Sequence, residues 1–159
     1  PDIFDRLKMD HDRQRRLLDE IVADGTSPER RQQAFEEFTI DAKSHAAAEE
    51  QALYSTMMRK PETTDETRHS VAEHHEIEVA LNDAAASEPG SPEWTEKVRK
   101  LKHDYLHHID EEENEHFPDF SRYLTTADEQ HMRSVFERRK EAEAQVAEVT
   151  PEAKEDAKE

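Results

Sequence analysis

A chain of 159 residues is long enough for one domain with a real core, but only 33% of it is hydrophobic and 39% is charged, so that core is thin and its exterior heavily solvated. The formal net charge of −18 opposes nucleic acid or an anionic membrane as a partner, since both need a basic surface, and the absence of cysteine excludes disulfides, thiolate metal sites and cysteine nucleophiles. No apolar run is long enough for a membrane span, and a cytoplasmic protein is the default expectation.

Asp2 can cap a first helix running to about Asp24, with Ile3, Leu7, His11, Leu18 and Ile21 broadly on one side, a polar gap at Gln14 and Arg15, and Gly25 as the stop. Ser27-Pro28-Glu29 supplies an N-cap, an N1 proline and a first-turn acid for a second helix. That helix carries Phe35, Phe38, Ala42, His45, Glu49 and Leu53 inward at spacings of three or four until Pro61. Thr64-Asp65-Glu66 opens a third, with Val71, His74, Ile77, Leu81 and Ala84 in line and Pro89-Gly90 closing it. Ser91-Pro92-Glu93 repeats the start signal for a fourth, whose stripe is Trp94, Val98, Leu101, Tyr105, His108 and Glu112; Pro118 ends or kinks it. Thr126-Ala127-Asp128-Glu129 reads as a capping box for a fifth, highly charged helix through about Glu148, with Met132, Val135 and Phe136 laid across the end of the others. Short connections force antiparallel neighbours. The expected fold class is therefore all-α: an up-down-up-down four-helix bundle over residues 1–124, an additional C-terminal helix over 125–149 packing on it, and a flexible tail over 150–159.

On the fourth helix His108 and Glu112 stand one turn apart on one face, a chelating pair that suits a first-row transition metal, whereas Ca²⁺ or Mg²⁺ would take oxygen ligands. One such pair means little in a chain with ten His and forty acids, but His45 and Glu49 repeat it, and 108 − 45 and 112 − 49 both give 63. The same offset carries His11 onto His74, Leu18 onto Leu81, Phe35 onto Val98 and Phe38 onto Leu101. Two helical hairpins are implied, each offering one lone His and one His-x-x-x-Glu to a shared centre. The competing account, a pair of surface i, i+4 contacts, does not explain why both pairs fall on apolar stripes. His75 and His107 are one residue off the stripes, roughly a hundred degrees round the helix, and are expected in solvent. Glu50, Glu111 and Glu113 flank the ligands and are read as a solvated charge face, with hydrogen bonding to the ligands as the alternative. Tyr105 is open between core residue, hydrogen-bond partner of a ligand and direct iron ligand. His116, where the other half has Leu53, is open between a plug and a proton carrier.

These residues resemble the hemerythrin-like, or HHE cation-binding, family of bacterial type, whose pattern of His, His-x-x-x-Glu, His, His-x-x-x-Glu is matched by His11, His45 with Glu49, His74, and His108 with Glu112. The local sequence around them matches too, in Lys8-Met9-Asp10-His11 and in Glu111-Glu112-Glu113 before Phe117-Pro118. The resemblance covers about residues 3–124 and implies two Fe ions in an oxo- or hydroxo-bridged di-iron centre, the two Glu bridging and the four His as terminal ligands. The oxygen-carrying members place a second His four residues after the third-helix His, where this chain has Glu78, which favours ferric iron over reversible oxygenation. The functional expectation is a catalase-like protein that decomposes hydrogen peroxide in oxidative-stress defence, with Tyr105 and His116 handling protons or supporting the ligands. The alternatives are an O₂, NO or iron binding, sensing or storage protein without turnover, and an acidic helical adaptor whose His merely pack. The expected small partners are H₂O₂, O₂ or NO; the sequence specifies no oligomeric state.

Overall fold

In the computed structural model, which describes residues 2–146, every regular element is a helix. The first, α1 (Ile3–Val22), starts where the Asp2 carboxylate accepts the Asp5 N–H at 2.9 Å. It ends without help from Gly25: Ala23 turns to extended backbone (φ −67°, ψ 135°), and among the described residues only Gly90 has a positive φ. α2 (Pro28–Glu49) is capped by the Ser27 hydroxyl, 3.2 Å from the Arg30 N–H. It runs on through a π-helical turn (Glu50–Tyr54) into a last short turn (Ser55–Met57). α3 (Thr64–Ala85) follows, and Gly90, at φ 82°, makes the reversal into α4 (Pro92–Glu111), capped by Ser91.

Pro118 does not end α4. A second π-helical turn (Glu112–His116) leads into a further helical segment (Phe117–Ser121), where the proline stands in the first turn and needs no N–H. α5 (Thr126–Val146) has its reciprocal cap one residue earlier than expected, because Thr125 Oγ1 accepts the Asp128 N–H at 3.0 Å while Asp128 Oδ2 accepts the Thr125 N–H at 2.9 Å. The expected tail at 150–159 and the end of the fifth helix beyond Val146 lie outside the described residues. No helix among those described is long and apolar enough to cross a membrane.

α1 packs along α2 and against α4, and α3 packs along α4 with a lighter contact to α2. α5 lies along α2 and touches α1, rather than crossing an end. The apolar stripes meet in two separate clusters. One gathers Leu18, Ile21, Phe35, Phe38, Leu81, Trp94, Val98 and Leu101. The other gathers Ile3, Leu7, Leu53, Tyr54, Met57, Phe117 and Phe120 with Met132 and Phe136 of α5. Between them along the helices fall His45 of the first His-x-x-x-Glu motif, Glu112 of the second, and the lone His11 and His74 of α1 and α3. Phe38 is fully buried and meets the Tyr105 ring edge-on at 5.0 Å. Phe38→Ala is therefore expected to lower stability by about 3–5 kcal/mol through the cavity it leaves, measured as a fall in the urea midpoint at unchanged slope.

Candidate metal centre

α1 brings His11 to the layer between the two apolar clusters, α2 brings His45 and Glu49 from its last turns, α3 brings His74, and α4 brings His108 with Glu112 at the start of its π-helical turn. Glu49, Glu112 and His11 have no exposed surface and the other three at most 7%, so water cannot serve these groups. Glu49 Oε1 lies 3.6 Å from His45 Nε2 and 3.2 Å from His74 Nε2; Glu112 Oε1 lies 3.4 Å from His108 Nε2 and 3.5 Å from His11 Nε2. Each carboxylate thus joins the His one turn before it to a His from the other half of the chain.

These contacts do not satisfy the groups that make them. His11 Nε2, His45 Nε2, Glu112 Oε1 and both carboxylate oxygens of Glu49 are sealed from solvent without a hydrogen bond. A buried polar atom left unpaired costs about 1–3 kcal/mol, so five converging in one layer fit ligation of metal better than packing. The donors form two groups, Glu49, His74, His108 and Glu112 on one side and His11, His45 and Glu112 on the other, each with its atoms within 4.8 Å of one another. Glu112 is common to both. Imidazole nitrogen with carboxylate oxygen is a donor set for a first-row transition ion.

Behind each imidazole stands a carboxylate. His45 Nδ1 is 2.8 Å from Asp10, His108 Nδ1 2.8 Å from Glu73, His11 Nδ1 2.7 Å from Glu113 and His74 Nδ1 2.8 Å from Glu50. An ionised carboxylate only accepts, so Nδ1 carries the proton and Nε2 is turned inward as the ligating atom. Glu50 and Glu113, expected to belong to a solvated face, are engaged in this way. Asp10 and Glu73 were missed, although the 63-residue register that pairs the histidines also pairs Asp10 with Glu73 and Glu50 with Glu113.

Burial alone would lower the His45 and His74 imidazoles, but the hydrogen bonds they donate to Asp10 and Glu50, together with the nearby carboxylate charge of Glu49, outweigh it and hold both up to about 9. His108 goes the other way, pulled down to about 4 by burial that its bond to Glu73 only partly offsets. Burial, reinforced by the charge of Glu49, pushes the Glu112 carboxyl well above its ordinary range. In the metal-free protein His45 and His74 therefore carry protons at neutral pH that must leave before a cation can bind.

Tyr105 is buried, and its hydroxyl donates to Gln14 Oε1 rather than reaching the layer; Gln14 in turn donates to Asp41 at 2.8 Å, which accounts for the polar break in the α1 stripe. The phenol that does reach the layer is Tyr54, which donates to Glu112 Oε2. It is the last residue of a π-helical turn, where residues five apart stack, and four-residue spacing does not reveal such a position. Tyr54 lies against His74 at 5.4 Å between ring centres, and its counterpart Phe117 stacks on His11 at 6.0 Å. His116 is buried outside the six-residue group, with Nδ1 2.9 Å from Ser70 Oγ. Glu78 lines a cavity of about 250 Å³ that opens beside His45 and His74 and is not among the converging donors. His75 and His107 are exposed.

Helices that bring a buried His/Glu layer together define a helical metal-binding protein. The chain belongs to the hemerythrin HHE cation binding domain family, whose model matches residues 2–120. Over 112 residues it is 30% identical to a DNA nickase of Nostoc sp. (strain PCC 7120 / SAG 25.82 / UTEX 2576), a match that takes in 70% of this chain and 31% of that protein. The chain thus spans about a third of that relative's length. No solved structure matches it.

The layer yields two expected outcomes. His45→Ala or Glu112→Ala removes most of the bound metal, whereas His75→Ala or His107→Ala leaves it nearly intact, as elemental analysis of the purified variants would read; the reverse order for His107 and His108 would move the register by one residue. Metal affinity also rises with pH from about 6 to 9, because groups with raised pKa values shed their protons over that range, and loading near pH 7 releases protons that a pH-stat can count.

Proposed function

We propose that this chain holds two iron ions between its two His-x-x-x-Glu hairpins and decomposes hydrogen peroxide to water and O₂ in the cytoplasm, as a defence against oxidative stress. The observation that carries the proposal is the donor set itself: four imidazoles divided into two pairs, with ring centres 5.1 Å apart for His11 and His45 and 4.9 Å for His74 and His108, and two carboxylates between them. Six such donors leave an octahedral pair incompletely ligated, with room for a bridge and a small ligand. Residues 1–124 would form the up-down-up-down bundle that aligns them, and the helix in 125–149 would close its side.

Bound iron supplies the two-electron exchange that peroxide disproportionation needs, each cycle taking two molecules of peroxide to two of water and one of O₂. The chain's residues supply the rest. The carboxylates behind the imidazoles fix which nitrogen faces inward and keep it basic. Tyr54, held well above the ordinary phenol range by burial and by the charges of Glu112 and Glu49, keeps its proton and orients the Glu112 carboxyl through the hydrogen bond it donates to Oε2. The cavity beside His45 and His74 is large enough to admit peroxide, with apolar walls such as Ala46, Val71 and Leu81 and polar Lys43, Glu50 and Glu78 in its lining. DNA nicking, named for the Nostoc protein, is left out, since a net charge of −18 offers phosphate no footing.

An oxygen electrode tests the proposal. The iron-loaded protein is expected to evolve O₂ from hydrogen peroxide with no added electron donor. Tyr54→Phe should cut the rate by about 10²-fold or more while iron content holds, in line with loss of one positioned hydrogen-bond donor. No O₂ release, together with a reversible spectral change as the reduced protein is cycled between O₂ and argon, would favour the carrier or sensor reading.

A further inference from the structure

The two halves close off equivalent carboxylates differently. Asp10, behind His45, is held by two permanent cations, Arg6 Nη1 at 2.6 Å and Lys140 Nζ at 2.8 Å. Glu73, its counterpart behind His108, instead faces His69, which stands where the 63-residue register places Arg6. His69 Nε2 lies 3.3 Å from Glu73 Oε2 and 2.8 Å from Glu111 Oε1, so a second carboxylate gathers where the first half gathers positive charge.

His69 and Glu73 are themselves spaced as His-x-x-x-Glu, the spacing that builds the buried layer. Glu111 and His116 approach them from α4, five apart across the π-helical turn. The His116 side chain is 8% exposed, its Nδ1 is occupied by Ser70, and its Nε2 points at Glu111 Oε1 from 3.8 Å, too far for a hydrogen bond. Glu111 Oε1 is shut off from solvent and, although close to His69 Nε2, is aligned in a hydrogen bond with no donor. Lone pairs that come together without pointing at one another are arranged as ligands of one ion are. Donors about 2.1 Å from a tetrahedral cation stand roughly 3.4 Å apart; the donor atoms of His69, Glu73 and Glu111 all lie within 4.8 Å of one another, with His69 Nε2 at 2.8 and 3.3 Å from the two carboxylates.

We infer that His69, Glu73 and Glu111 form an accessory site for one divalent transition-metal ion, with His116 beside it and zinc or ferrous iron the type that an imidazole and two carboxylates select. It is distinct from the buried layer but joined to it, because Glu73 turns one oxygen to this site and the other to His108 Nδ1. A cation there does for Glu73 what Arg6 and Lys140 do for Asp10.

Zn²⁺ is the probe, added by equilibrium dialysis to protein already carrying its own metal and counted by elemental analysis. Wild-type protein should take up one equivalent of zinc per chain, and His69→Ala and Glu111→Gln should each weaken that equivalent by about 10–100-fold, while His103→Ala, on an exposed position, leaves it unchanged. His45→Ala separates the two sites: it should strip the buried metal and keep the zinc equivalent. Superimposable zinc isotherms for wild type, His69→Ala and Glu111→Gln would overturn the inference whatever His45→Ala does, and would leave only an ion-paired cluster at the surface.

Discussion

The constraint from which the rest follows is the removal from water of two carboxylates and four imidazoles in one layer between two apolar clusters. Isolated charges in such a place would cost far more than a marginally stable domain has to spare. The chain meets that cost in shells. Each imidazole is anchored at Nδ1 by a carboxylate nearer the surface, and the outer carboxylates are answered by Arg6, Lys140 and Arg15, the last 2.9 Å from Glu113. What this leaves unanswered is the set of inward atoms, and those are the atoms that chemistry requires.

The 63-residue repeat does more than duplicate a motif. His45 takes its carboxylate from Asp10 and His108 from Glu73, each within its own half, but His11 takes Glu113 and His74 takes Glu50, each from the other half. Tyr54 and Phe117 cross over in the same way to cover His74 and His11. Neither hairpin completes its own imidazoles, so the two are locked face to face by the groups that orient the donors. The π-helical turns serve this exchange: one starts just after Glu49 and the other at Glu112, and they bring Tyr54 and Phe117 to faces that regular four-residue spacing would not reach.

The helices and the six layer residues were legible because both rest on periodicity, and a second copy of the pattern at a fixed offset turned a common spacing into an uncommon one. The same offset held the outer carboxylates in plain view, yet acids adjacent to a ligand look like solvated charge when forty of them crowd a short chain. Tyr54 was hidden for a different reason, since a π-helical turn breaks the period by which faces are read. Gln14 looked like an error in the α1 stripe; its two hydrogen bonds to Tyr105 and Asp41 reach residues 91 and 27 positions away, and no local pattern reports a partner at that distance. The end of α1 was misassigned because glycine is the usual stop but extended backbone at Ala23 does as well.

The repeat is imperfect, and its imperfections fall on one axis. Glu112 has a phenol donating to one oxygen, while both oxygens of Glu49 are bare, because position 117 is Phe where position 54 is Tyr. Behind His45 lie two fixed positive charges, and behind His108 lies an imidazole with a further carboxylate. Lys140 comes from α5, which the duplicated hairpins do not contain, so this helix is joined to the layer by charge as well as by Met132 and Phe136. Asp10, backed by two fixed cations, and Glu73, backed by an imidazole, stand at the same 2.8 Å from the imidazoles they hold, yet His45 is held up to about 9 and His108 is pulled down to about 4. Two positions built from one pattern are thereby made unequal.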